Sequence, residues 1–258
     1  MGKGIHAPPL RHSCLVVIPA LNEEETVASV VHDFRWRGFK RIRAIDNGST
    51  DRTALRARTA GAEVLTEPRR GYGRACQRGL SNVPRGVAWI LFCDADGSDN
   101  LDDVDLMIAA GENADLVLGN RFATKSGRKA MTLVQRFGNQ LVSKLIEQGW
   151  RYRFADSGPL RLIRRQALDD IDMREHGFGW NVVMQIRAVD AGLKIREVPV
   201  GYRPRQGGKS KISGNIIGGV CAGFAILQAL ARLYFAPKRL SSAGRTPAYN
   251  SEERVRYE

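Results

Sequence analysis

Apolar and polar positions alternate in blocks along the first half of the chain. A continuous apolar run predicts a strand at 14–18, and shorter segments rich in apolar residues predict strands at 41–45, 62–65, 87–93 and 115–118. Between the first two runs, Val27, Val30, Val31 and Phe34 follow the i, i+3, i+4, i+7 spacing of an amphipathic helix, and we expect Asn22 to cap it. Strands that alternate with helices of this length indicate an α/β fold with a mostly parallel sheet flanked by helices.

The second half of the chain is less regular and ends in an apolar segment. Helices are predicted at 131–148 and 181–191, and strands at 159–163 and 195–200. The segment 216–236 is mostly apolar but is interrupted by Gln228 and Arg232, so it falls short of the ~20 apolar residues of a spanning helix. Basic residues on both sides fit an amphipathic helix lying in a membrane interface. A core or dimer-forming helix is an equal alternative.

These patterns divide the chain into four parts. We expect a disordered arm over 1–13, a globular domain over 14–214, the apolar or interfacial helix over 215–236 and a disordered tail over 237–258. The arm lacks the apolar run of a signal peptide, which places the protein in the cytoplasm. The four cysteines form no CxxC pair, which favours a reducing compartment over a disulfide framework or a zinc site.

The net charge of the chain is strongly positive, but one predicted strand ends in a group of acidic residues. The chain carries a formal charge of +13, which suggests an anionic partner such as nucleic acid, a membrane surface or a phosphorylated substrate. Yet the stretch ILFCDADGSD ends a predicted strand with Asp94, Asp96 and Asp99. An acidic site repels nucleic acid, and the Lys and Arg residues are dispersed rather than grouped with aromatic residues. We therefore expect no nucleic-acid partner, and a cation that offsets the aspartates.

Polar residues follow three of the predicted strands, as PALNEE, DNGSTD and DADGSD. In open parallel sheets, ligands bind at the carboxyl ends of the strands. The i, i+2 carboxylates Asp94 and Asp96 can share a divalent cation, and Mg²⁺ or Mn²⁺ commonly bridges carboxylates to substrate phosphates. The pattern thus favours a metal–phosphate site over a structural acidic turn. Acidic residues over 99–103 are explained as a helix N-terminus.

The glycine-rich stretch GYGRACQRG is superficially similar to a dinucleotide-binding fingerprint. It follows the third predicted strand instead of the first and lacks the required spacing, so a nicotinamide cofactor is not expected.

Six motifs occur in an order that resembles a known family: VVIPALNEEETV, AIDNGSTDRT, LFCDADGSDNLDDV, GNR at 119–121, DSGPLRLIRR and GYRPRQGGKSKISG. The set is similar to the family 2 glycosyltransferases, which have the Rossmann-like GT-A fold, and within them to the dolichol-phosphate mannosyltransferase-like branch. It covers roughly residues 14–235. The resemblance implies an inverting, metal-dependent transfer of a sugar from a UDP- or GDP-sugar to an acceptor.

The resemblance also implies roles for particular residues. It assigns Pro19, Ala20, Asn22 and Glu23 to the nucleoside pocket, Asp46 to the base or ribose, and Asp94, Ala95 and Asp96 to a DxD motif. In that motif Asp94 and Asp96 hold Mg²⁺ or Mn²⁺, with Asp96 the more direct ligand and Ser98 a helper.

Basic residues complete the implied site. Arg121 resembles a phosphate-facing arginine, and Arg205, Lys209 and Lys211 lie in a segment that resembles a mobile loop closing over the diphosphate and the acceptor. A solvated loop is the alternative, and for Lys209 alone it is nearly as strong. A metal on Asp96, with Arg121 and the loop cations, would stabilise the departing diphosphate.

The acceptor is less defined. Relatives often place a carboxylate base in the helix represented by GFGWNVVMQIRA, where this chain has Val182 and Val183. Asp156 is a remaining candidate base, with a structural role as its alternative. A phosphate acceptor needs no base, because its oxygen is already an anionic nucleophile. These points favour polyprenyl phosphate and a peripheral position on the cytoplasmic membrane face. A soluble hydroxyl acceptor, an inactive sugar-nucleotide-binding scaffold and a homo-oligomer stay open.

Overall fold

The computed structural model describes residues 10–207 and 216–235, with the backbone alone for 216–222. The strands in these ranges are β1 Cys14–Ala20, β2 Arg41–Asp46, β3 Glu63–Thr66, β4 Trp89–Phe92, β5 Leu116–Asn120, β6 Arg161–Arg164 and β7 Ile195–Pro199. The helices are α1 Val27–Trp36, α2 Thr53–Thr59, α3 Tyr72–Gly79, α4 Val104–Gly111, α5 Lys125–Ala130, α6 Leu133–Trp150, α7 Arg165–Asp170, α8 Trp180–Asp190 and α9 Ile216–Phe235. Short 3₁₀ turns lie at Leu10–Ser13, Leu101–Asp103 and Arg121–Ala123.

The strands form one sheet in the order β3-β2-β1-β4-β6-β5-β7. The β1–β2, β1–β4, β2–β3 and β5–β7 pairs are parallel, which confirms the prediction of a mostly parallel sheet. Strand β6 is antiparallel to both β4 and β5. It inserts between two strands that precede it in the chain, so the sheet is mixed on this side.

Both faces of the sheet are covered by helices, which explains why the central strands β1 and β4 are apolar throughout. Along β1, Val16 and Ile18 pack into the core beneath α1, α2 and α4, whereas Leu15 and Val17 pack into the core beneath α3, α6 and α8. A strand buried on both faces has no polar side, and its sequence therefore shows no alternation.

Helix α1 begins later than the sequence pattern suggested. Its N-cap position is Thr26, so the expectation that Asn22 caps the helix is wrong. Asn22 instead has a positive φ of 50°, which asparagine tolerates better than most residues. Its side-chain oxygen accepts a hydrogen bond from Thr50 N at 2.8 Å, and its own N–H donates to Ser49 Oγ at 2.9 Å. Asn22 thus joins the loop after β1 to the loop after β2.

The glycines of GYGRACQRG have a packing role in α3. A β-carbon on Gly73 would lie 2.3 Å from the carbonyl oxygen of Glu175, and one on Gly79 would lie 2.5 Å from Val17 Cγ1. The helix can therefore approach the sheet on one side and the 175–177 segment on the other only because these positions lack side chains.

The apolar segment near the C-terminus forms α9, as predicted, and no helix of the described residues is long and apolar enough to cross a membrane. In the predicted arm, residues 10–13 form a 3₁₀ turn, and Leu10 packs against the core. The predictions for Lys209, Lys211, residues 1–9 and the tail from 237 lie outside the described residues.

Candidate active site

The ends of β1, β2 and β4 meet at one edge of the sheet. Ala20 at the end of β1 is paired with Asp46 at the end of β2, and Cys93 N donates to Val17 O across the β4–β1 pair. Pro19 and Ala20 are buried, and the Oδ1 atom of Asp46 accepts a hydrogen bond from Ser49 N at 3.2 Å. The structure thus brings the three predicted polar loops together.

The loop after β4 folds back on itself and gathers Asp94, Asp96 and Asp99, called here the acidic cluster. Asp99 Oδ2 accepts hydrogen bonds from Asp94 N at 3.2 Å and from the Cys93 thiol at 3.4 Å. Burial, followed by repulsion from Asp96 and Asp99, raises the pKa of the Asp94 carboxyl well above its ordinary value. Burial and Asp96 raise the pKa of Asp99 to about 6. The cluster therefore favours a bound cation.

The expectation that Asp99 belongs to a helix N-terminus is wrong. Asp99 is 6% exposed, precedes the 3₁₀ turn that leads into α4, and bridges to Tyr202 across the loop. Only the aspartates after it lie at the start of the helical segment. Sequence spacing did not distinguish these aspartates, because the reversal of the loop depends on its pairing with the strand-like 201–203 segment.

Asp96 is oriented by its own loop. Its Oδ1 atom accepts hydrogen bonds from Ser98 N at 3.0 Å and from Ser98 Oγ at 2.6 Å, and its Oδ2 atom lies 3.2 Å from Arg205 Nη2. Ala95, between the two aspartates of the motif, is buried. Asp94 accepts a hydrogen bond from Tyr72 Oη at 3.2 Å, a contact that the sequence did not suggest.

Arg205 connects two of the loops. Its Nη1 atom lies 2.9 Å from both carboxylate oxygens of Glu23, and its Nη2 atom reaches Asp96. Glu23 belongs to the loop after β1 and is 6% exposed. The guanidinium therefore neutralises part of the negative charge at this edge.

Arg121 and Asp156 form a buried ion pair on the other side of the acidic cluster. The Nε and Nη2 atoms of Arg121 each lie 2.7 Å from one oxygen of Asp156, and Arg121 N donates to the same carboxylate at 2.9 Å. The guanidinium also stacks on the Tyr202 ring at 4.9 Å. Burial opposes ionisation of Arg121, but its hydrogen bond to Asp156 outweighs burial and raises the pKa of Arg121.

A second buried arginine lies below this pair. Arg161 in β6 is fully buried and donates to the carbonyl oxygens of Gly158 at 3.1 Å and Asn181 at 2.8 Å. Burial lowers the pKa of Arg161 to about 10, so it stays cationic at neutral pH. Of these arginines, Arg205 contacts Asp96 and Arg121 lies near enough to lower the pKa values of Asp94 and Asp99, whereas Arg161 supports the Gly158 and Asn181 backbone. Only Arg161 was missed in the sequence.

Asp156, the candidate general base, has hydrogen-bond partners for both of its carboxylate oxygens. Both oxygens of Asp156 accept from Arg121, and its backbone is held by Gln185 Nε2 at 2.8 Å and by the Glu197 carboxylate at 3.2 Å. This arrangement fits the structural alternative for Asp156. Val182 and Val183 in α8 are buried and carry no ionisable group.

The acidic cluster suits a hard divalent cation. Asp94 and Asp96 offer carboxylate oxygens, the ligands that Mg²⁺ and Mn²⁺ prefer. Over residues 10–207 and 216–235 there is no group of three or more His, Cys, Asp or Glu side chains arranged as a metal site. Two carboxylates fit an ion that takes its other ligands from water and from substrate phosphates.

Comparison with known proteins decides the family. The model of glycosyl transferase family 2 matches residues 15–172. The chain belongs to this family. An uncharacterized glycosyltransferase of Mycobacterium tuberculosis is 36% identical over 208 residues, which are 80% of this chain and 93% of that protein. The dolichyl-phosphate hexose transferase of Haloferax volcanii is 30% identical over 74% of this chain and 83% of its own.

Solved structures confirm the GT-A fold. The glucosyl-3-phosphoglycerate synthase of Mycobacterium tuberculosis, crystallised with Mn²⁺, UDP-glucose and phosphoglyceric acid, superposes with a TM-score of 0.70. The match covers 92% of this chain and 86% of that one at 21% identity. This family 2 glycosyltransferase therefore has the architecture that the motif order implied.

Proposed function

We propose that this glycosyltransferase moves a sugar, with inversion, from a UDP- or GDP-sugar to a polyprenyl phosphate at a membrane surface, using Mn²⁺ or Mg²⁺. The observation that carries the proposal is the acidic cluster beside the buried Arg121–Asp156 pair. The first offers oxygen ligands to a cation, and the second holds the Arg121 guanidinium in a fixed position near it.

The donor would bind over the ends of β1, β2 and β4. Pro19, Ala20, Asn22 and Glu23 would line the nucleoside pocket, and Asp46 would contact the base or ribose. The hydrogen bonds of Asn22 to Ser49 and Thr50 support this, because they fix the two loops relative to each other before a ligand arrives. The complex of the mycobacterial synthase with Mn²⁺ and UDP-glucose supports the donor class.

The diphosphate is the leaving group. The bond between the anomeric carbon and the diphosphate oxygen breaks while the acceptor oxygen bonds to the opposite face of that carbon, and the negative charge collects on the diphosphate. A cation held by Asp94 and Asp96 would supply Lewis-acid stabilisation of that charge. Arg121, fixed by Asp156, would add preorganised positive charge. Arg205 would add a second cation once the metal takes its place at Asp96.

Valines at positions 182 and 183 of α8, where a carboxylate base would be expected, support a phosphate acceptor. Val182 and Val183 occupy the helix where a base would lie, and Asp156 is engaged with Arg121. A phosphate oxygen is already anionic and needs no deprotonation before attack. The activity named for the Haloferax relative, a dolichyl-phosphate hexose transferase, agrees with this acceptor class.

A soluble acceptor is the second candidate. It is favoured by the mycobacterial synthase, whose bound phosphoglyceric acid is a soluble phosphorylated acid. That molecule also carries an anionic phosphate, so the arginines of this site do not discriminate between the two acceptor classes.

A donor screen tests the proposal. The purified protein would be incubated with Mn²⁺ or Mg²⁺ and a panel of sugar nucleotides, with and without a short polyprenyl phosphate, while release of the nucleoside diphosphate is measured. We expect release from one donor that depends on the lipid. Release that ignores the lipid but responds to soluble phosphorylated acceptors would overturn the acceptor. No response to any donor, in turnover or in thermal stability, would favour an inactive scaffold.

A further inference from the structure

The N-terminal half of α6 carries a row of exposed apolar side chains, called here the apolar ridge: Leu133, Val134, Phe137 and Leu141. The first three are exposed to 79%, 76% and 70%. Their spacing follows the helical repeat, so they share one face, while Val142 and Ile146 on another face are buried in the core. Single exposed apolar residues are ordinary, but a row on one helix indicates an interaction surface.

The ridge lies on a helix that is fastened to the active-site segment. Asn139 Oδ1 accepts a hydrogen bond from Ser157 N at 3.0 Å, and Ser143 Oγ donates to Phe154 O. The residues between them include Asp156, which holds Arg121. A molecule bound along α6 would therefore lie one element away from the site of transfer.

Helix α9 extends the apolar surface. Tyr234 contacts Trp150 at the end of α6, with 6.1 Å between the ring centroids. Ala229 and Leu230 are buried, whereas Phe224, Leu227, Tyr234 and Phe235 are exposed to between 41% and 83%. Two adjacent helices thus both present large apolar side chains to the surroundings.

Few acidic residues lie in or near these two helices, and the acidic residue within α6 is Glu147, in its last turn and away from the apolar ridge. Residues 116–146 contain six Lys and Arg residues and no Asp or Glu, and residues 198–251 also contain no Asp or Glu. Lys125, Arg128 and Lys129 are exposed in α5, which is joined to α6 by the hydrogen bond from Arg136 to the Arg128 carbonyl. Lys144 is exposed within α6 itself. The apolar ridge therefore has a basic border.

We propose that the apolar ridge of α6, with the exposed face of α9, docks onto a membrane surface containing anionic lipid. Apolar side chains bordered by Lys and Arg match such an interface, where the side chains enter the headgroup region and the cations meet lipid phosphates. A second copy of the chain fits less well, because a symmetric contact would bring the same cations together. The proposal deepens the function proposed above and rests on it, since docking would place a lipid-bound acceptor beside Arg121.

Vesicle binding by the full chain tests this docking surface. Sedimentation would compare vesicles of phosphatidylcholine with vesicles of phosphatidylcholine and phosphatidylglycerol, for the wild type and three variants. The double variant Val134→Gln, Phe137→Gln removes apolar contact and should weaken binding at least about tenfold. The double variant Lys125→Gln, Lys129→Gln should weaken binding to the anionic vesicles by roughly fivefold per residue and lose the preference for them.

The matched control is Trp36→Gln, Leu55→Gln, which removes comparably exposed apolar groups from α1 and α2, on the helices that cover the other face of the sheet. It should bind vesicles like the wild type. Equal binding by the ridge variant and the control would overturn the proposal, as would a wild type that does not bind anionic vesicles. A dimer that the ridge variant abolishes would show that a second copy covers the surface instead.

A second measurement separates this proposal from the proposed function. Thermal stabilisation by UDP or GDP with Mn²⁺ requires the donor site but no membrane, and all variants should keep it. Loss of vesicle binding with intact nucleotide binding is the result expected for the ridge variant. Vesicle binding by a wild type that responds to no nucleotide would leave the docking surface in place and reject the transferase function.

Discussion

The two sides of the candidate site differ in how their buried charges are neutralised. On the side of β1, β2 and β4, the acidic cluster contains three carboxylates, and burial together with their mutual repulsion raises the pKa values of Asp94 and Asp99. On the side of β5, β6 and β7, Arg121 and Asp156 neutralise each other with two contacts of 2.7 Å. The first side favours a cation that must be added, whereas the second is complete in the protein alone.

This difference indicates which side changes on binding. A divalent ion that binds the carboxylate cluster removes the repulsion between its carboxylates, and this relief contributes to the free energy of ion binding. A buried, fully hydrogen-bonded ion pair gains nothing from a ligand but keeps its geometry, and that is the requirement for preorganised charge. We therefore expect substitutions on the two sides to affect different measurements.

The largest effect is expected for Asp96→Asn on the acidic side. Loss of one carboxylate removes a ligand of the proposed cation, and turnover should fall about a thousandfold, in line with the several kcal/mol that a metal contributes to such a transition state. Nucleoside diphosphate release measures this, and the melting temperature should stay within a few degrees of the wild type. The control Asp102→Asn changes an exposed aspartate that pairs with Arg37 and should leave turnover unchanged. Full activity in Asp96→Asn would contradict the metal assignment.

On the arginine side the largest effect should appear in stability. Asp156→Ala leaves the buried Arg121 without its partner, which is expected to cost about 3–5 kcal/mol in the free energy of unfolding. Urea denaturation measures this cost. The control Asp169→Ala removes an exposed partner of Arg165 at 3.8 Å and should cost less than about 1 kcal/mol. If both variants lost the same stability, the buried Arg121–Asp156 pair would contribute no more to folding than an exposed ion pair.

The acidic side was more accessible from sequence than the arginine side, for a physical reason. Each loop after β1, β2 and β4 is local, since an apolar run ends and polar residues follow within a few positions. The partners of Arg121 are 35 residues away in Asp156 and further still in Tyr202. Such contacts depend on the antiparallel insertion of β6, which a strand of four residues does not reveal.

The same limit explains the individual errors. Asn22 was expected to cap α1 because its type suits an N-cap, but the loop after β2 supplied competing partners in Ser49 and Thr50. Asp99 was assigned to a helix N-terminus because acidic residues follow it, yet its carboxylate turns back to Asp94 N. The exposed face of α6 was also missed, since an apolar helix face looks the same in sequence whether it is buried or not.

A pH dependence should come from Glu197, which supports the arginine side from β7. Its carboxylate accepts hydrogen bonds from Ala155 N and Asp156 N, and burial raises its pKa from the ordinary value of 4.5 to about 7. The folded state therefore binds this proton more tightly than the unfolded state, so the stability associated with it is present below about pH 4.5 and is lost as the pH rises through 7.

Glu197→Gln removes that titration while keeping an oxygen that accepts the two backbone hydrogen bonds. The unfolding free energy of the variant relative to the wild type should improve between pH 5 and pH 8, by at most on the order of 2–3 kcal/mol. Urea denaturation at the two pH values measures the difference. A relative stability that does not change with pH would show that Glu197 is ionised in both states.

The smallest effect is expected for Arg205→Gln, on the acidic side. Arg205 contacts Glu23 and Asp96, so in the absence of a ligand its guanidinium serves as a counter-ion of the acidic cluster. A metal that binds Asp96 must compete with it. The variant should therefore bind Mn²⁺ alone more tightly, by roughly fivefold, which corresponds to one partly exposed ion pair. Once a nucleoside diphosphate is present, the variant should bind Mn²⁺ more weakly than the wild type, because it lacks a cation for the phosphates. Titration calorimetry measures Mn²⁺ binding with and without the nucleotide.

Arg203→Gln is the matched control, since Arg203 lies in the same segment but contacts Asn100 and Asp102 instead. Unchanged or weaker binding of Mn²⁺ alone by Arg205→Gln would mean that the acidic side does not use its own arginine as a substitute for the metal.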